Sequence, residues 1–439
     1  MNFREIDFNQ LLVDNNIRNI PDNFNKSQFD NLLAIIEDFF TKSFQKANPE
    51  HPVSKLFNRY DIFSSYELAT LGYAIDRFRN SNPGWLNRII CNIRDSNTNN
   101  QRGFLNELLI PSYIQENGYK LVLPKKTNIP SKDFELHGEN GKKIHVSVKN
   151  LGFSDHRREF IKNCKNLEEK FYKFLNEKND NNKMLSINFT KYGNNDMFEK
   201  ILQGFKDYDS IIDKKREFQS GEVTAVSAIT RLFNNTEDLF YGKINYSVAV
   251  TSNYHKNEVP NLIKPIQDEI IKLSEKDGYY LFIAHIDQFA PTEMLIDELE
   301  KVCKCCFGDK QIKNVELIVF QYYIAFSTEI KKKCLNCFIK QFPNTHYLPF
   351  ALNLSIPYVS YFNTEPDSKI FITGDNGYDF SNTYMYQNGH AYIKKDLSIK
   401  IEPPEFDYGI NYHYVEVMEG FNLAYALSFR KIPDEFEIL

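Results

Sequence analysis

The feature that most constrains this chain is an order of elements between Arg102 and Thr190. RGFLNELLIPSYIQENG has the apolar spacing of an amphipathic helix. YKLVLPK, residues 119–125, reads as a strand. SKDFELHGENGKKIHVSVKN reads as two strands joined by a turn at Gly138–Gly141. A long charged helix to about Lys178 and a strand, MLSINFT from Met184 to Thr190, complete a helix, three strands, helix, strand unit. Alternate residues on a strand share a face, so Ser147 and Lys149 project together. Antiparallel pairing through the 138–141 turn brings Asp133, at the start of one strand, to the end of the other, near Lys149. Glu107 reaches in from the first helix. An aspartate for a hard divalent cation, a lysine beside it and a helical glutamate suit metal-assisted attack on a phosphodiester.

These residues carry a resemblance. The stretch resembles the PD-(D/E)xK, or restriction-endonuclease-like, nuclease superfamily, whose core runs α-β-β-β-α-β. Arg102-Gly103-Phe104-Leu105-Asn106-Glu107 is similar to the Gly-x-x-x-Glu opening helix of the Holliday-junction-resolvase branch. Asp133 matches the first acid and Lys149 the lysine. Ser147 stands where the second acid is usual, and Pro130 precedes Asp133 by three residues rather than one. Members with this serine take a carboxylate from the following helix, which points here to Glu159. The resemblance covers roughly 90 of 439 residues. It implies a Mg²⁺- or Mn²⁺-dependent DNA endonuclease of restriction or anti-phage defence. Asp133, Glu107 and Glu159 would be metal ligands, Lys149 the phosphate- or water-orienting cation, and Ser147 a minor partner. Arg102, Lys132, Arg157, Arg158 and Lys162 are the expected DNA contacts. A DNA-repair nuclease, or a non-catalytic protein of the same fold that binds DNA or a partner, are the alternatives. Double-strand cleavage would favour a homodimer, and a defence role a partner protein.

Net charge is −5 overall, so the whole chain is not a nucleic-acid electrolyte. Residues 101–180 carry net +4 and residues 361–439 net −7, so basic charge gathers where the acids and Lys149 lie. The charged opening MNFREIDF is unlike a signal peptide, and no apolar run approaches the ~20 residues of a spanning helix. Seven unevenly placed cysteines are unlike a disulfide framework. A soluble cytoplasmic protein with no membrane partner is expected.

The rest of the chain divides into a helical region 1–98, the nuclease-like domain 99–195, an α/β accessory domain 196–345 and a β-rich acidic region 346–439. The expected class is therefore mixed α/β. In the first region, Phe29–Gln45 and Ser65–Phe78 read as helices, with Ser65 a cap, Asn82-Pro83-Gly84 a turn and Ser96–Gln101 a linker. SGEVTAVSAITRLF is grouped with the helices around it. Strands then alternate with helices from Ile244 to Phe342, and TEIKKKCLNCFIKQF reads as the last helix. Cys303, Cys306, Cys334 and Cys337 could supply four thiolates to zinc, although cysteine on a helix more often packs as a small hydrophobe. KIFITG, LSIKIEPP and HYVEVMEG read as strands, with Asn388-Gly389 a hairpin turn.

Overall fold

The computed structural model describes residues 24–59, 62–95, 98–114, 119–124, 132–139, 141–152, 154–180, 182–205, 215–232, 244–288, 290–309, 312–327, 332–342, 361–363, 383–393, 411–419, 422–430 and 436–439, with Arg18, Ile20 and Asn344. The expected strands KIFITG and LSIKIEPP, and Pro130, lie outside the described residues. The fold is mixed α/β, with ten α-helices and two seven-stranded mixed sheets among the described residues. No described helix is long and apolar enough to cross a membrane.

Six helices come first: α1 (Lys26–Phe39), α2 (Lys42–Ala47), α3 (Pro52–Asn58), α4 (Ile62–Arg79), α5 (Pro83–Asp95) and α6 (Thr98–Tyr113). The single helix expected over Phe29–Gln45 is two, because Thr41 leaves helical geometry and its hydroxyl accepts the Phe44 N–H. Ser65 is not a cap; α4 begins at Ile62 and Ser65 is buried inside it. Pro83 opens α5, where its missing N–H costs nothing. Trp85 packs edge-on against Phe78, 5.0 Å between centroids. The expected linker is largely helix, since α6 starts at Thr98.

The first sheet has the order β1-β2-β3-β8-β9-β10-β11. Its strands are β1 (Tyr119–Val122), β2 (Phe134–Gly138), β3 (Lys143–Leu151), β8 (Tyr279–Ile286), β9 (Val315–Ser327), β10 (Lys332–Phe342) and β11 (Tyr361–Asn363). β1, β2 and β3 pair antiparallel, and β3, β8 and β9 run parallel. Strand parity sorts the side chains between two cores. Ile144, Val146, Val148, Leu281, Ile283, Ile318 and Phe320 join the N-terminal helices. Tyr280, Phe282, Ala284, Ile286, Leu317 and Val319 face α9 (Glu258–Ser274) and α10 (Thr292–Cys303) on the other side. A strand buried on both faces needs such a continuous apolar run, and β8 is buried from Tyr280 to Ile286.

The strand expected to complete the first unit does not do so. MLSINFT forms β4 (Lys183–Phe189), which belongs to the second sheet, of order β13-β14-β12-β7-β4-β6-β5. The neighbour of β3 is β8, paired from Ile144↔Tyr279 to Leu151↔Ile286. The helix α9 packs over β8 and β9 and reaches β3 through Glu269 and Lys149. The helix directly after β3 is α7 (Asp155–Glu177), and it packs with α8 (Asn195–Gly204) on the second sheet. SGEVTAVSAITRLF is not helical. It contributes to β5 (Lys215–Ser220) and β6 (Val223–Arg231), with Gly221 at φ +59° in the turn. Buried Ala225, Ser227 and Ile229 show its period of two. The expected helix TEIKKKCLNCFIKQF is mostly β10, antiparallel to β9. Both sheets draw strands from segments 99–195, 196–345 and 346–439 alike.

The second sheet is completed by β7 (Tyr246–Asn253), β12 (Thr383–Ile393), β13 (Asn411–Glu419) and β14 (Asn422–Arg430). HYVEVMEG lies largely in β13. Glu168 of α7 is buried and accepts from Tyr246 (2.9 Å), Tyr386 and Asn388 (2.9 Å), tying β7 and β12 to the helix. Asn388-Gly389 is not a turn but the middle of β12, where Gly389 pairs with Ser247. A Cβ on Gly389 would collide with the Tyr246 carbonyl oxygen and lie 2.8 Å from Ser247 Cα. Gly389→Ala is therefore expected to destabilise the second sheet by about 1–3 kcal/mol, the scale of overpacking. Denaturant unfolding followed by hydrogen exchange in β7 and β12 measures it; an unchanged midpoint contradicts the close approach.

Candidate active site

Four elements converge where β2 leaves β3. Asp133 precedes β2, its N–H donates to the Val146 carbonyl (2.8 Å), and its carboxylate Oδ2 accepts the Val148 N–H at 2.6 Å. Continuing the β2–β3 register from Phe134↔Val146 sets Asp133 opposite Ser147. Ser147 is buried in β3, on the same side as Lys149, whose side chain is 48% exposed. On α9, Glu269 comes within 3.9 Å of Lys149 Nζ, and both its oxygens accept from Lys272 at 3.1 Å. Glu107 of α6 lies within electrostatic reach of Asp133 and Lys149.

The charges are unequally tolerated. Burial, reinforced by the Asp133 charge, pushes the Glu107 carboxyl up to about 8, against a smaller opposing pull from Lys149. Burial also raises Asp133, and Glu269 adds to that rise. The Val148 N–H, Lys149 and Lys272 oppose it. Two acids held above their ordinary range beside a third buried carboxylate are what a divalent cation would relieve. Among the described residues no three His, Cys, Asp or Glu side chains form a ready cage. The donor set fits Mg²⁺ or Mn²⁺ all the same, since Mg²⁺ takes one or two carboxylates and keeps several waters.

The structure brings together Glu107, Asp133, Ser147 and Lys149 of the residues singled out in the sequence. Glu159 is elsewhere: on α7 it accepts from Asn195 (2.8 Å) and Tyr192 (3.2 Å) against the second sheet. The helical carboxylate beside Lys149 is Glu269. The signal for Glu269 was in the sequence, because it falls inside the buried stripe Leu262, Ile266, Ile270, Leu273 of α9. A carboxylate on an apolar stripe needs a partner. A second group went unread. His285 is buried, and its Nδ1 contacts Asn150 Oδ1 at 2.8 Å and Asn106 Nδ2 at 3.1 Å, beside Lys149 and Glu107. Burial, with help from Arg102, drops its pKa to about 3, so this link between α6 and β3 stays neutral.

Of the expected DNA contacts, Arg102 donates to the carbonyls of Phe436 and Glu437 and lies 3.6 Å from Asp287. Arg157 is buried against Asp287, and Lys132 pairs with Glu135. Arg158, bonded to Asp155, and Lys162 are exposed on α7. The three described thiols of the expected set do not gather. Cys303 and Cys306 are buried on the α10 side of the first sheet, and Cys337 of β10 on the opposite side. The sheet between them rules out one zinc site built from all four expected residues.

Glu107 has a pH signature. Its folded state holds a proton up to about pH 8, while the unfolded acid loses it near 4.5. The stabilisation it gives is full below about pH 4.5 and is lost as pH climbs to about 8. Glu107→Gln is expected to gain stability relative to wild type across that window, read as a widening Tm difference. Mg²⁺ should narrow the difference by favouring the ionised acid. A Tm difference independent of pH contradicts the burial argument.

Comparison with known proteins returns no match: no protein-family model, no curated protein and no solved structure matches this chain.

Proposed function

We propose that this chain is a divalent-metal-dependent endodeoxyribonuclease of restriction or anti-phage defence. The observation that carries the reading is the meeting of Glu107, Asp133, Lys149 and Glu269 from α6, the start of β2, β3 and α9. The order α6-β1-β2-β3-α9-β8, with β8 parallel to β3, also agrees with the restriction-endonuclease-like core that the motif resembles. On this reading Glu269 takes the role of the acid absent at Ser147, and residues between β3 and α9 form an insertion into the core.

Asp133 and Glu269 would hold the cation, which supplies Lewis acidity when bound, with Glu107 within electrostatic reach of Asp133. Lys149, half exposed beside the acids, neutralises a non-bridging phosphate oxygen and orients the attacking water. Glu107, with a pKa near 8, can hold or release a proton near neutral pH. The Val148 N–H fixes Asp133, so that its carboxylate need not reorganise when substrate arrives. Exposed Lys272, Arg158 and Lys162 offer phosphate contacts beyond the acids.

Cleavage of supercoiled plasmid with Mg²⁺ or Mn²⁺ tests this. Asp133→Ala, Lys149→Ala and Glu269→Ala are each expected to lower the rate at least about 100-fold, the scale of removing one transition-state-stabilising group. Glu159→Ala should leave it unchanged. Equal loss with Glu159→Ala and none with Glu269→Ala would return the helical acid to α7. DNA binding without cleavage by the folded wild type would instead make the chain a binding subunit.

A further inference from the structure

The second sheet ends at Arg430 of β14, yet residues 436–439 are buried in the core shared by the N-terminal helices and the first sheet. Phe436, Ile438 and Leu439 are 1%, 1% and 3% exposed. Their backbone is held as well. Glu67 of α4, 0% exposed, accepts the N–H groups of Glu437 (2.8 Å), Ile438 (2.7 Å) and Leu439 (3.3 Å) through one carboxylate oxygen. Arg102 of α6 donates to the carbonyls of Phe436 (2.8 Å) and Glu437 (3.2 Å). Gln288, just past β8, accepts the Phe436 N–H at 2.7 Å. The Glu437 side chain lies 3.9 Å from both Arg59 and Lys55. The Phe436 ring meets Phe63 and Tyr322 edge-on, at 6.3 and 6.4 Å.

We infer that the pocket bounded by α3, α4, α6 and the end of β8 is a peptide-binding site, with residues 436–439 its ligand in cis. Its ligand class is a short segment bent at its second position, apolar at its first, third and fourth positions and acidic at its second. Packing Phe436 and Ile438 alone would require no charge. A fully buried carboxylate is costly unless it is paired and hydrogen-bonded; Arg59 lies 3.8 Å from one Glu67 oxygen, and the other accepts three successive backbone N–H groups of the segment. An arginine and a glutamine complete the main-chain recognition from the other side. Reading the main chain, with pockets for alternate side chains, is how proteins bind a separate peptide. Residues 436–439 belong to no strand of either sheet. Arg102 also ties the occupied pocket to Asp287 and, through it, to Arg157. The site stands on this geometry whether or not the chain cuts DNA.

The test lets the chain fold intact. A protease site replaces residues 431–435, the purified protein is cut, and a fluorescent Phe-Glu-Ile-Leu peptide is titrated in by anisotropy. The expected result is saturable uptake of one peptide per chain with release of the native segment, and no uptake before cutting. Glu67→Gln in the same cut protein should weaken uptake at least about tenfold, since a side-chain amide replaces one acceptor oxygen of a buried, charge-assisted set. A Ser-Glu-Ser-Ser peptide should not compete. Retention of the cut segment against millimolar peptide, release without uptake, or uptake indifferent to Glu67→Gln each overturns the proposal. Circular dichroism of every cut sample separates loss of the site from loss of the fold.

Discussion

The parallel pairing of β3 with β8 is the constraint on which the rest of this structure depends. Eight residue pairs join strands separated by a connection that includes α7, α8, α9 and four strands of the second sheet. Loop-closure entropy grows only with the logarithm of length, so a long connection costs little more than a short one. What must be paid back is recovered by burial. β8 is covered on both faces, and each fully buried Phe or Ile contributes about 1.5–3 kcal/mol. Once β8 lies beside β3, α9 is carried across one face and α6 across the other. Had β4 taken that place, α7 would lie over the pair, and Glu159 rather than Glu269 would face Lys149.

The same pairing concentrates charge where charge is expensive. Glu107 from one side and Glu269 from the other each come within electrostatic reach of Asp133, with Lys149 and Lys272 only partly compensating. Packing alone would not select this arrangement. An apolar residue at 269 would continue the α9 stripe, and an apolar residue at 107 would avoid the burial that lifts its carboxyl to about 8. His285 makes the contrast. It is buried too, but as a neutral imidazole between two amides it joins α6 to β3 without adding to the repulsion. Burial thus raises two neighbouring acids here, Glu107 and Asp133, a pattern that suits a place where a cation or a proton is handled.

Local pattern carried much of the chain between Ile62 and Cys303. Period-two alternation and the turn at 138–141 located β2 and β3, and therefore the approach of Asp133 to Lys149. Apolar spacing located α4, α6, α9 and α10. It failed where local signals are degenerate. Val223–Arg231 mixes small and β-branched residues that suit either element, and pairing with β4 and β5 decides for strand. Cys334 and Cys337 sit in a segment whose charges mimic an amphipathic helix until β9 supplies eleven antiparallel partners. Asn388-Gly389 reads as a turn by composition, whereas the glycine is there because β7 passes too close for a side chain. Above all, a strand's sequence does not say which sheet it enters. MLSINFT and YYLFIAHI are both good buried strands, and only three-dimensional packing assigns the second to β3.

That ambiguity bears on the helical acid more than on any other residue. A motif is written in sequence spacing, but the chemistry it stands for requires carboxylates near one point in space. Ser147 and Glu269 are 122 positions apart, yet β3 and the helix over it are in contact across a Lys149–Glu269 distance of 3.9 Å. The depth of Glu269 is set by Ile266, Ile270 and Leu273, all buried beneath α9, and its orientation by Lys272 one turn on. Replacing a strand acid by a helical one therefore places no limit on the intervening length, provided the helix still leads into the strand beside β3. The proposed nuclease centre is compatible with its large insertion for that reason: the register of β3 against β8, and not the number of residues between them, supplies the geometry.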